Sequence, residues 1–133
     1  MIKIEHIGIA VKDLSSSISL FESLLESDCY KVEAVESERV TTAFLRQGET
    51  KIELLESADS EGVIAKFIEK KGEGLHHIAF EVDDILAEME RLKKEGFQLL
   101  SDKPKTGADN KLVCFIHPKS TNSVLVELCQ EIR

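Results

Sequence analysis

The chain repeats itself. His6-Ile7-Gly8-Ile9-Ala10-Val11-Lys12-Asp13-Leu14 returns 71 positions later as His77-Ile78-Ala79-Phe80-Glu81-Val82-Asp83-Asp84-Ile85. At the same offset Ala43-Phe44-Leu45 is matched by Cys114-Phe115-Ile116. After a drift of three residues, the segment around Glu53 is matched by that around Glu127. A duplication of this kind restricts the fold to two copies of one supersecondary unit.

Hydrophobic periodicity defines the unit. Residues 2–11 alternate as a strand, with Ile2, Ile4, His6, Gly8 and Ala10 on one face. Asp13 or one of Ser15, Ser16 and Ser17 caps a helix whose apolar stripe is Ile18, Phe21, Leu24 and Leu25. Strand-like runs follow at 30–37, 40–47 and 51–56, the last two joined by a turn at Gly48-Glu49. Residues 60–70 read as a connecting helix capped by Ser60, and Lys70 to Gly74 form a polar linker. The second half repeats the order: a strand at 75–82, then a helix at 84–95 with Ile85, Met89 and Leu92 inward and Gly96 as its stop. Strands at 98–100, 112–117 and 124–130 complete it, with a loop at 101–110. The order βαβββ, helix, βαβββ belongs to the α+β class. One domain is expected over 1–133, with module 1 at about 1–57, a linker helix at about 60–72 and module 2 at about 73–133. The two tandem modules are expected to form a curled mixed sheet around a metal-binding cleft, lined by one face of each first and last strand.

Composition narrows the partners. The net charge of -8 argues against nucleic acid and anionic membranes. No apolar run approaches the roughly 20 residues that span a bilayer. The N-terminus begins as a strand rather than a basic and apolar leader, so a cytoplasmic protein is expected. Cys29, Cys114 and Cys129 lack metal-binding spacing and read as small apolar residues in a reducing compartment.

His6 and His77 open the two repeats, and Glu53 and Glu127 interrupt apolar strands near their ends. A single histidine or glutamate on a strand is more often structural or solvent-facing. Four at equivalent points of two repeats, with His–Glu spacings of 47 and 50 residues, fit the ligand set of one divalent cation. His76 points to the face opposite His77, and His117 beside Pro118 reads as a turn residue.

The His6-to-Leu14 segment, Lys51-Ile-Glu-Leu-Leu-Glu, Gly72-Glu-Gly-Leu-His-His-Ile-Ala-Phe, His117-Pro-Lys-Ser and Val124-Leu-Val-Glu-Leu together resemble the methylmalonyl-CoA epimerase family. That family lies in the glyoxalase-like vicinal-oxygen-chelate superfamily. The resemblance runs from Ile2 to about Gln130 and implies paired βαβββ modules, usually dimeric. It carries the metal ligands onto His6, Glu53, His77 and Glu127, holding one divalent ion such as cobalt, manganese, nickel or zinc. The implied reaction interconverts the 2R and 2S forms of methylmalonyl-CoA by α-proton removal and return through an enolate. Glu127 is the candidate catalytic acid–base group. The Val40–Gln47 segment carries no acid, which leaves the second group to Glu53 or to water. A small-molecule CoA thioester is therefore the expected substrate, with Lys103, Lys105, Lys111 and Lys119 as the local positive field for its phosphates. The competing readings are a glyoxalase-type metal-dependent isomerase and a metal-free small-molecule-binding module on the same fold.

Overall fold

The computed structural model describes residues 1–132. The first βαβββ module comprises β1 (Lys3–Ala10), α1 (Leu14–Leu25), β2 (Lys31–Val35), β3 (Val40–Gln47) and β4 (Thr50–Ser57). Helix α2 (Val63–Lys71) leads to the second, made of β5 (Gly74–Glu81), α3 (Ile85–Lys94), β6 (Lys105–Thr106), β7 (Lys111–Ile116) and β8 (Val126–Glu131). The strand orders are β2-β3-β4-β1 and β6-β7-β8-β5. In each module the first and last strands pair in parallel and the other pairs are antiparallel. The class is α+β, as the periodicity requires.

Two compact units divide the chain: residues 6–76, and Met1–Glu5 together with the chain from His77 onward. The boundary falls inside β5 rather than in the polar linker. The Ile2 amide donates to the Glu81 carbonyl at 2.8 Å and ties the N-terminal residues to the second unit.

The repeat extends to the helix caps. Asp13 accepts from the Ser16 amide at 3.1 Å, and Asp84, its equivalent, accepts from the Ala87 amide at 3.1 Å. Each satisfies one of the amide donors that a helix start leaves over. Helix α1 buries Leu14 and packs Ile18, Phe21 and Leu25 against Ala43, Leu45 and Leu54. Leu24, expected in that stripe, is 69% exposed, so the buried face is rotated toward Leu14. Helix α3 buries Ile85, Met89 and Leu92 against Cys114, Ile116, Val126 and Leu128. In each module the helix thus covers one sheet face, and the alternate residues of the same strands are left for the other.

Several local expectations shift. Helix α2 starts at Val63 with Gly62 rather than Ser60 at its cap. A side chain at Gly62 would strike Ser57 Oγ and crowd the Arg39 carbonyl, so glycine lets the chain enter the helix this close to β4 without displacing them. The expected strand at 98–100 reduces to one bridge between Leu99 and Ile116, flanked by bonds from the Leu100 amide to the Phe115 carbonyl and from His117 to Gln98. The edge strand is instead β6, inside the segment read as a loop. In β1, Ile2 and Ile4 are exposed whereas Glu5 is buried.

Candidate metal centre and active site

Residues 6–76 contain the first half of the candidate site. His6 on β1 and Glu53 on β4 are both 4% exposed, and His6 Nδ1 lies 3.0 Å from Glu53 Oε2. Glu53 is flanked in register by Gly8 on one side and Phe44 on the other. The second unit repeats this arrangement. His77 on β5 and Glu127 on β8 are buried, with His77 Nε2 3.4 Å from Glu127 Oε1. Glu127 is flanked by Ala79 and Phe115. The Phe115 ring meets the His77 imidazole edge-on, with centroids 6.0 Å apart.

Each module therefore builds the same constellation: a small residue, a carboxylate and a phenylalanine side by side, with an imidazole two residues before the small one. The parallel pairing of first and last strand makes it possible. It sets residues about 45 positions apart next to each other on the sheet face that the helix does not cover. Gly8 and Ala79 leave space beside the carboxylates. Phe44 and Phe115 supply apolar walls, in which an ionised carboxylate is costly unless something compensates it.

The donor chemistry fits a divalent metal. Each pair offers one imidazole nitrogen and one carboxylate oxygen, a set suited to cobalt, manganese, nickel or zinc. Two donors about 2.1 Å from one ion are about 3.0 Å apart at a right angle and about 3.4 Å apart at a tetrahedral angle. The observed spacings of 3.0 and 3.4 Å lie in that range.

The other sequence candidates separate. Lys111 is 6% exposed and its Nζ lies 3.7 Å from Glu131 Oε1, so its charge is partly used within the fold. Lys103, Lys105 and Lys119 are exposed. His117 is a turn residue, as its position beside Pro118 suggests: its Nδ1 accepts from the Lys119 amide at 3.0 Å. His76 meets Phe67 of α2 edge-on with centroids 4.9 Å apart. Burial, and then the nearby Lys71 ammonium, push its pKa down to about 4.

Two acids escaped the sequence reading. Glu5 is 2% exposed, with a carboxylate oxygen within 4.8 Å of Cys129 Sγ. Beside Lys3 at a strand start it carries no sequence signal of burial. Glu38 lies in the 3-10 turn that leads into β3, and its Oε1 is shielded from solvent. In sequence it is one more charge in the run Glu36-Ser37-Glu38-Arg39. The Cys114 thiol is pushed up to about 11, by burial first and by the Glu127 carboxylate second.

Over residues 5–115 the chain matches the family described as the Glyoxalase/Bleomycin resistance protein/Dioxygenase superfamily. It belongs to that family. It is similar to the ethylmalonyl-CoA/methylmalonyl-CoA epimerase of Cereibacter sphaeroides, with 41% identity over 130 residues, 96% of this chain and 97% of that protein. Among solved structures it resembles methylmalonyl-CoA epimerase from Mycobacterium tuberculosis, at a TM-score of 0.94 and 32% identity over 98% of this chain and 89% of the other. A methylmalonyl-CoA epimerase solved with methylmalonyl-CoA and NH4+ superposes at a TM-score of 0.92, with 30% identity over 98% of this chain and 95% of the other. The likeness to these epimerases thus spans almost the whole sequence.

Proposed function

We propose that this chain is an epimerase that interconverts the 2R and 2S forms of methylmalonyl-CoA, with His6, Glu53, His77 and Glu127 holding one divalent cation. The observation that carries the reading is the duplicated, buried histidine–carboxylate pair, in a chain about 40% identical to epimerases of that substrate over nearly its full length. Nothing in a structural duplication favours two carboxylates against phenylalanine walls, since apolar side chains there would be more stable.

The α-carbon of the substrate lies between a thioester and a carboxylate, and losing its proton makes an enolate. When bound, the cation would supply positive charge to the oxygen on which the enolate's charge develops. Glu127 takes and returns the proton on one face of the carbon. Inversion requires a second acid–base group on the opposite face. For it we propose Glu53, on the strand of the first module that corresponds to the strand of Glu127, or a water molecule. The same reading makes the protein a homodimer, with Leu20 and Leu24 of α1 as exposed apolar surface available to bury. A cytoplasmic location is proposed on the three cysteines, which form no disulfide among the described residues. The -8 charge means that the anionic end of the substrate needs a local cationic patch.

The test is incubation with methylmalonyl-CoA in deuterium oxide. Deuterium should enter the α-position as the epimers equilibrate, and a chelator should stop both. Glu127→Gln should lower the exchange rate about a hundredfold or more while substrate affinity stays within a few-fold. Absence of α-exchange in the metal-loaded wild type refutes the proposal.

A further inference from the structure

Strand register on the sheet face that carries His6 and Glu53 gathers three cations that are scattered in the sequence. Arg46, Lys51 and His6 stand in one row across β3, β4 and β1. Lys31, Phe44 and Glu53 stand in the next row across β2, β3 and β4. Lys31 Nζ lies 5.1 Å from the Phe44 ring centroid, and the Arg46 guanidinium lies 4.4 Å from that of Tyr30. The Tyr30 and Phe44 rings are themselves 6.1 Å apart. Arg46 is exposed, Tyr30 is 41% exposed and the Lys31 side chain is 39% exposed. The two rows hold Arg46, Lys51 and Lys31 against Glu53, and Lys31 also pairs with Glu33 of the neighbouring row at 3.2 Å.

We infer that Arg46 and Lys31, on the Tyr30–Phe44 aromatic platform at the edge of the first module, hold the phosphates of the substrate's coenzyme A, with Lys51 lining the approach. The inference rests on the acyl-CoA reading above, and reach supports it. Strands are about 4.8 Å apart, so β2 lies roughly 14 Å across the sheet from β1. The neutral pantetheine arm has two amides and about the length of four extended residues, roughly 13 Å. A thioester held near His6 and Glu53 and extended across β4 and β3 therefore delivers its diphosphate to the β2 edge. Stacking on Tyr30 fixes the guanidinium plane before any anion arrives, which lowers the ordering cost of a bidentate phosphate contact. The second module supplies the competing site: Lys111 is buried against Glu131, and Lys103, Lys105 and Lys119 are exposed.

The test is calorimetric binding of free coenzyme A and of pantetheine, which bear no acyl group and need no turnover. Wild type should bind coenzyme A more tightly than pantetheine. The double variant Lys31→Gln/Arg46→Gln should lose about tenfold or more of its coenzyme A affinity, and Arg46→Lys, which keeps the charge but not the stacked fork, should lose part of it; pantetheine affinity within about threefold of wild type in both variants controls for folding. Two results would overturn the inference: unchanged coenzyme A affinity in the Gln double variant, or no preference for coenzyme A over pantetheine in wild type. Loss of affinity in Lys105→Gln/Lys119→Gln with the β2-edge pair intact would likewise move the site to the second module. α-Proton exchange is scored separately, so failure of the epimerase reading is told apart from failure of this site.

Discussion

Removing the His76 imidazole should flatten the acid side of the stability profile. His76 is packed against Phe67 and its pKa is lowered from 6.5 to about 4, by burial and then by Lys71. The folded state therefore favours the neutral ring. Between pH 4 and pH 6.5 the unfolded chain holds a proton that the folded chain lacks, so stability rises with pH across that window. The contribution is complete above pH 6.5 and is lost as the pH falls toward 4. Linkage over pH 7 to pH 5 amounts to about 2 kcal/mol. For a chain of this size that is roughly 8 °C in Tm. The assay is thermal unfolding of chelator-treated protein at both pH values, for wild type and His76→Phe. Phenylalanine keeps an aromatic ring against Phe67 and cannot titrate. The variant should show a pH 7 to pH 5 loss smaller by about 2 kcal/mol. An equal loss in both proteins refutes the argument that burial of His76 is maintained in the neutral form.

Asp13→Ala and Asp84→Ala each remove one capping acceptor and should each cost about 1 kcal/mol in urea unfolding, additively in the double variant because the caps serve separate helices. Gly107→Ala places a methyl group 3.1 and 3.2 Å from the two methyls of Val113, a β-branched side chain in β7 that is 5% exposed. It should destabilise by about 1 kcal/mol or more, and Gly107→Ala/Val113→Ala should recover part of the overpacking term, measured in the same assay.

What the sequence disclosed, and what it did not, follows from which interactions are local. The caps at Asp13 and Asp84, the α3 core face and the recurrence of His6 and Glu53 as His77 and Glu127 are set by short-range pattern, and a duplication doubles that signal. The pairing of β1 with β4 is not local, yet the repeat fixed it indirectly by putting His and Glu at matching ends of both units. The Lys31, Arg46 and Lys51 rows had no such help. They come from three strands, and only the register of two antiparallel pairings brings them to one face. Strand β6 escaped for a related reason: two residues at a sheet edge need only two backbone bonds, and Lys105-Thr106 between Pro104 and Gly107 carries no strand signature. The burial of Glu5 and of one Glu38 oxygen depends on tertiary neighbours alone.

Metal stoichiometry is the most direct test of the central claim that two repeats supply one ion with its ligands. Purified wild-type protein loaded with cobalt or zinc and then dialysed should retain one ion per chain by elemental analysis. His6→Ala and His77→Ala, each checked for an intact fold by circular dichroism, should retain far less, because each removes an equivalent ligand. Full retention by either variant, or no retained ion in wild type, would contradict the account.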